Sequence, residues 1–187
     1  MSARPRLAGV ANLVTGSRIV LALPAFQFAL RPESLRWLAL VVAVAGLTDL
    51  VDGTVARRFD RPTRFGAALD PIADGFFFGA VAAGLALGGA YPAWLAMVVV
   101  LRYLLPVLVG AVLVALNRLP TLRHTFFGQL STALVAVLLG AVALLRGLGQ
   151  PTGSVLLVTE VVIPLATVLA WVELARTARD LGRSRVD

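Results

Sequence analysis

Long apolar stretches alternate with short polar segments along nearly the whole chain. Six of these stretches are close to the roughly 20 residues that a helix needs to cross a bilayer. The predicted spans cover residues 12–30, 35–56, 66–88, 93–116, 126–145 and 154–175. The pattern predicts an all-α fold, namely a six-transmembrane-helix integral membrane bundle. Residues 1–187 would form one membrane domain, with a lead at 1–11 and a tail at 176–187.

The basic residues are distributed unevenly between the two sides of the predicted membrane. All 17 are arginine, and twelve of them lie in the lead, the tail and the segments after the second and fourth spans. Three lie in the segments on the opposite side. Cytoplasmic segments carry the excess of basic residues in membrane proteins. We therefore expect a multi-pass protein of the cell inner (plasma) membrane with both termini in the cytoplasm.

Composition narrows the classes of protein that remain. Apolar residues make up 59% of the chain and the mean hydropathy is +0.89, which excludes an ordinary soluble domain. The net charge of +7 sits at the ends of apolar spans, so anionic lipid headgroups are favoured over nucleic acid as partners. The chain has no cysteine and one histidine, which excludes thiolate sites and argues against histidine-based metal sites.

Four aspartates lie at the junction of the second and third spans. Asp49 and Asp52 are three residues apart and Asp70 and Asp74 are four apart, so each pair shares one helix face. Both pairs are expected at the cytoplasmic ends of their spans. Clustered carboxylates need protonation, arginine or a divalent metal to compensate their charge. Oxygen-only ligand sets suit Mg²⁺, Mn²⁺ or Ca²⁺, and paired metals suit phosphoryl chemistry.

The aspartates belong to a longer pattern, D-x2-D-G-x2-A-R-x8-G-x3-D-x3-D. Its eight fixed positions are filled by Asp49, Asp52, Gly53, Ala56, Arg57, Gly66, Asp70 and Asp74. This stretch resembles the motif of the CDP-alcohol phosphatidyltransferases. The resemblance implies two divalent cations, Mg²⁺ or Mn²⁺, held by the four aspartates on the pyrophosphate of a CDP-linked donor. It also implies that Asp74 is the general base for the attacking hydroxyl.

Further residues are candidates for contact with the nucleotide. Glycine or alanine at 53, 56 and 66 permits close approach of the backbone, and an arginine at 57 suits a phosphate. The family resemblance adds a threonine at 63 and the N-x-x-T-x-x-R start of the first span. The predicted nucleotide-binding residues are Asn12, Thr15, Gly53, Ala56, Arg57, Thr63 and Gly66. The alternative for Asn12 is a helix cap, and the pattern of Gly75 and Gly79 predicts helix packing.

Two arginines are placed inside predicted spans. Arg18 needs a polar partner there. Arg102 lies at a depth comparable with that of Glu160, so one hypothesis is a buried pair between them. The other hypothesis is that Arg102 binds the phosphate of an acceptor.

The polar segment before the fifth span contains two arginines, each with two alternative roles. Arg118 and Arg123 would either bind an anionic acceptor or set the topology. The fifth span starts with a sequence similar to the family's G-K-x-x-T, with Gln129 in place of the lysine.

The resemblance is strongest to the phosphatidylglycerophosphate synthase and cardiolipin synthase branch. It implies transfer of a phosphatidyl group from CDP-diacylglycerol to glycerol 3-phosphate or phosphatidylglycerol, with release of CMP, by a homodimer. Inositol phosphate is the alternative acceptor within the family. A metal-ion or proton transporter is the alternative from another class, and it predicts carboxylates near the bilayer midplane. An inactive scaffold is a third, although no motif residue is missing.

Overall fold

The computed structural model describes residues 8–59, 64–115 and 126–183, with side chains over 16–47, 71–110, 112 and 127–176. Over these residues the chain forms six α-helices, one short 3-10 helix and no β-strand. The helices are α1 (Ala8–Leu30), α2 (Leu35–Phe59), α3 (Arg64–Leu87), α4 (Ala93–Ala115), α5 (Phe126–Gly147) and α6 (Gly153–Arg183), and the 3-10 helix is Pro32–Ser34. The predicted all-α class is confirmed, and each predicted span coincides with one helix to within a few residues at most ends.

Two helices extend beyond the apolar stretches that predicted them. Helix α1 begins at Ala8, inside the segment interpreted as a lead, and α6 continues to Arg183, well into the predicted tail. The residues at 174–183 read LARTARDLGR, in which leucine, alanine and arginine are good helix formers. Hydropathy marks the apolar part of a helix, whereas backbone hydrogen bonding continues wherever the residues allow it.

Three helices are long and apolar enough to cross a membrane among the residues described. Their apolar windows are Ala93–Gly110, Phe127–Gly147 and Gly153–Arg176, and two shorter apolar stretches are Gly16–Leu30 and Pro71–Leu87. Large apolar side chains such as Val20, Leu87 and Val137 are exposed on the outside of the bundle. An outer surface of this kind suits lipid rather than water. These features indicate a membrane protein, and the crossing of all six helices stays a prediction.

Glycines let α3 approach its neighbours on two faces. A Cβ at Gly75 would lie 2.6 Å from the Cβ of Tyr103 in α4, and one at Gly79 would lie 3.7 Å from Val100. Further along α3, a Cβ at Gly84 would lie 2.6 Å from the Cβ of Ala29 in α1. Helix α3 is therefore packed between α1 and α4, as small residues at four-residue spacing permit. The predicted packing role of the first two glycines is confirmed.

The contacts also show which pairs of neighbouring helices run parallel and which run antiparallel. Gly140 of α5 faces Val42 of α2, and a Cβ at Gly147 would lie 2.7 Å from the backbone nitrogen of Arg36, so α2 and α5 are antiparallel. Helices α3 and α4 are antiparallel by the contacts above, and α1 and α3 are parallel. The beginning of α5 and the end of α2 therefore lie toward the same end of the bundle. That end is also where α3 begins.

Candidate active site

The four motif aspartates, predicted as metal ligands, lie in the second half of α2 and the first half of α3. Asp49 and Asp52 are in α2, Asp70 and Asp74 are in α3, and four residues join the two helices. The short connection agrees with the prediction that both acidic ends face the same side. Only the side chain of Asp74 lies within the described residues, so the meeting of all four carboxylates stays a prediction.

Asp74 forms an ion pair with Arg18 of α1. The Nη1 atom of Arg18 donates to Oδ1 of Asp74, and the two side chains are 7% and 13% exposed. Each charge is thus removed from solvent and compensated by the other. The prediction that Arg18 needs a polar partner inside the bundle is confirmed. The pair joins the middle of α1 to the middle of α3.

Arg102 is a second buried cation, held by the first two turns of α5. Its Nη2 atom donates to the carbonyl oxygen of Gly128 at 3.1 Å and to Oγ1 of Thr132 at 2.7 Å. Its guanidinium carbon lies 4.7 Å from the ring centroid of Tyr103. The Gly128 carbonyl also accepts from Ser131 Oγ at 3.0 Å and from Thr132 Oγ1 at 3.2 Å. Neutral oxygens and an aromatic face, rather than a carboxylate, thus surround this cation among the described residues.

The hypothesis of an Arg102–Glu160 pair is wrong. The two residues were expected to meet because their depths in α4 and α6 are similar. Depth does not determine the direction of a side chain, and the Arg102 guanidinium turns toward α5. Glu160 instead acts on Tyr91, in the turn between α3 and α4, where burial first and then the Glu160 charge raise the pKa of the phenol above its ordinary value.

The two arginine clusters are linked through the packing of α3 on α4. Tyr103, which follows Arg102, packs its Cβ against Gly75, which follows Asp74. The Tyr103 ring is also stacked with Phe78, with ring centroids 6.3 Å apart. A side chain larger than hydrogen at position 75 would displace Tyr103 and with it the neighbouring cation. The Arg18–Asp74 pair and Arg102 therefore belong to one packed region.

Several buried side-chain atoms lack a hydrogen-bond partner within the part of the chain that is described. They include Nε of Arg102, Oγ1 of Thr167 and Nε1 of Trp171. Thr167 and Trp171 are four residues apart, so they share one face of α6. Such atoms call for a bound polar group or water. Thr167 was not among the residues predicted from the sequence. The one feature that could have indicated it is a threonine four residues before a tryptophan in an apolar helix.

The remaining predicted site residues lie outside the described side chains. In the nucleotide set they are Asn12, Thr15, Gly53, Ala56, Arg57, Thr63 and Gly66. In the metal set they are Asp49, Asp52 and Asp70, and Arg118 and Arg123 of the predicted acceptor set lie outside as well. Their roles stay predictions.

The four motif aspartates are expected to hold divalent metal ions. No group of three His, Cys, Asp or Glu that would hold a metal occurs among the described residues, of which Asp74 is the only motif aspartate with a described side chain. The chemistry of the full set of four carboxylates fits Mg²⁺ or Mn²⁺, which prefer oxygen ligands. Asp74 itself is mostly buried, in the first half of α3.

Comparison with known proteins finds a matching family and several similar relatives. The profile of the family described as CDP-alcohol phosphatidyltransferase matches residues 8–177. A probable phosphatidylglycerophosphate synthase of Mycobacterium tuberculosis is 32% identical over 192 residues, which cover 99% of this chain and 89% of the relative. A cardiolipin synthase (CMP-forming) of Streptomyces coelicolor is 31% identical over 134 residues, covering 68% of this chain and 61% of the relative.

Proposed function

The chain belongs to the CDP-alcohol phosphatidyltransferase family, and we propose that it transfers a phosphatidyl group from CDP-diacylglycerol to an alcohol that carries a phosphate. The preferred acceptors are glycerol 3-phosphate and phosphatidylglycerol, and the second product is CMP. The complete eight-residue motif carries this proposal. The names of the relatives above support the choice of branch over inositol phosphate. Membership of an enzyme family leaves the transporter and scaffold alternatives without a supporting observation.

In the proposed reaction the acceptor hydroxyl oxygen attacks the phosphorus that bears the diacylglycerol. A new phosphorus–oxygen bond forms, the bond from that phosphorus to the CMP oxygen breaks, and CMP leaves with the electron pair. Asp74 accepts the hydroxyl proton. Arg18 pairs with Asp74 and holds it in place before the substrates arrive.

Asp49, Asp52, Asp70 and Asp74 would hold two divalent cations in the proposed site. When bound, they supply charge neutralisation for the pyrophosphate and the leaving group. The residues at 12, 15, 53, 56, 57, 63 and 66 would bind the nucleotide. We place the enzyme in the cell inner membrane as a homodimer. The end of each bundle at which α2 ends and α3 begins would face the cytoplasm.

Arg102 is the residue that we assign to the phosphate of the acceptor. It is 6% exposed, has no carboxylate partner among the described residues, and keeps its Nε without a protein acceptor. A buried cation in this state gains most from an anionic ligand, since uncompensated buried charge is unfavourable. Its connection to Asp74 through Tyr103 and Gly75 supports a place beside the reacting hydroxyl.

The test is CMP release from CDP-diacylglycerol by the purified protein with Mg²⁺ or Mn²⁺. The acceptor panel contains glycerol 3-phosphate, phosphatidylglycerol and inositol phosphate. We expect metal-dependent release with one of the first two, and loss of release in Asp74→Asn. Arg102→Gln should raise the KM for the acceptor and leave the KM for CDP-diacylglycerol unchanged. Release with inositol phosphate alone, or none with any acceptor, would contradict the proposal.

A further inference from the structure

A carboxylate of α6 contacts the start of α5, outside the residues assigned to the reaction so far. Oε2 of Glu173 accepts a hydrogen bond from the backbone N–H of Phe127 at 3.0 Å. Phe127 is the second residue of α5, so its N–H has no acceptor within its own helix. The negative charge also interacts favourably with the positive end of the helix dipole. Glu173 therefore caps α5 from a neighbouring helix.

The capped turn and the one after it hold Arg102. Gly128, the next residue, and Thr132 provide the two oxygens that accept from the Arg102 guanidinium. The Gly128 carbonyl accepts from the side chains of Arg102, Ser131 and Thr132, which makes its position decisive for the cluster. A displacement of the first two turns of α5 would carry both acceptors away from Arg102.

We propose that Glu173 is a positioning residue for the acceptor side of the reaction. It anchors the first turn of α5 through Phe127, and this turn and the next hold the Arg102 guanidinium in its binding orientation. The inference rests on the proposed role of Arg102. Glu173 itself touches neither substrate, so its removal changes acceptor binding through Arg102 and spares the donor.

Four variants of the full-length protein test this inference. Glu173→Ala removes the acceptor of the Phe127 N–H, and Glu173→Asp keeps the charge on a side chain too short to reach it. Glu173→Gln keeps an oxygen that can accept. Glu160→Gln, a carboxylate change on the same helix, is the matched control. If the alanine variant fails to fold, the aspartate variant carries the test.

The readouts are the KM values for acceptor and donor, kcat, and amide hydrogen exchange of the peptide covering 127–132. For Glu173→Ala and Glu173→Asp we expect the acceptor KM to rise roughly three- to tenfold, as the loss of a helix cap allows. The donor KM should stay unchanged and exchange at 127–132 should accelerate. Glu173→Gln and Glu160→Gln should resemble the wild type.

A double-mutant cycle with Arg102→Gln separates this inference from the proposed function. If Glu173 acts through Arg102, adding Glu173→Ala to Arg102→Gln raises the acceptor KM no further. Fully additive effects, equal rises in both KM values, or a glutamine variant as impaired as alanine would overturn the role of Glu173. An unchanged acceptor KM in Arg102→Gln alone would instead refute the assignment of Arg102.

Discussion

Replacing Arg18 with methionine should expose how strongly the bundle depends on the Arg18–Asp74 pair. The change removes the cation and keeps an apolar side chain of similar reach. Asp74 would then be left mostly buried without its partner, since its side chain is only 13% exposed. Loss of one partner of a buried pair costs about 3–5 kcal/mol of the free energy of unfolding. For a chain of 187 residues this corresponds to a fall in Tm of roughly 10 °C.

The assay is thermal unfolding of the purified protein in detergent. Arg146→Met is the matched control, because Arg146 lies exposed in the last turn of α5, and its Tm should stay within about 2 °C of wild type. The double variant Arg18→Met with Asp74→Leu removes both charges. It should recover most of the lost stability, since apolar replacements of a buried pair are often neutral or stabilising. It should also be inactive, because Asp74 is the proposed base.

Two results would refute this reasoning. A single variant as stable as the control would mean that the buried carboxylate is compensated without Arg18. A double variant no more stable than the single would mean that packing of the arginine stem, rather than charge, supplies the stability.

Two further predictions concern the packing of α4 and the turn that precedes it. Gly75→Ala should lower the free energy of unfolding by about 1–3 kcal/mol, because the new Cβ would overlap Tyr103, whereas Gly79→Ala has room and should change it little. Denaturant titration of both variants is the measurement, and equal stability would contradict the packing argument. The chain has two tyrosines, so Tyr103→Phe leaves Tyr91 as the only phenol. Ultraviolet absorbance of that variant should show no phenolate near the ordinary pKa of about 10, because burial and the Glu160 charge raise the pKa of Tyr91. Since the folded protein keeps this proton longer than the unfolded chain, stability should fall as pH rises above about 10. Ordinary titration of Tyr91 in folded protein would refute the buried environment.

Much of the fold follows from local features of the sequence. Apolar length predicted the helices because each span must satisfy its own backbone hydrogen bonds, whatever its neighbours are. Helix ends were predicted less well: α6 continues to Arg183 because helix-forming residues extend beyond the apolar stretch. The G-x3-G spacing of Gly75 and Gly79 indicated a packing face, and it needed no knowledge of the partner helix.

The motif likewise identified the family from sequence alone. Eight residues at fixed spacing specify a chemistry, because metal and phosphate ligands must stand at set intervals on two helices. The position of Arg18 inside an apolar span showed that it requires a polar partner, although it could not say which one.

Only the tertiary structure decided which charges meet. Arg18 pairs with Asp74 because α1 and α3 run parallel in contact, and Arg102 turns to Gly128 and Thr132 rather than to Glu160. Sequence distance and depth constrain where a residue lies along a helix, but not the face on which its side chain emerges or the helix that it reaches. The cap of Glu173 on α5 is of the same kind: residues 46 positions apart meet only because α5 and α6 pack side by side.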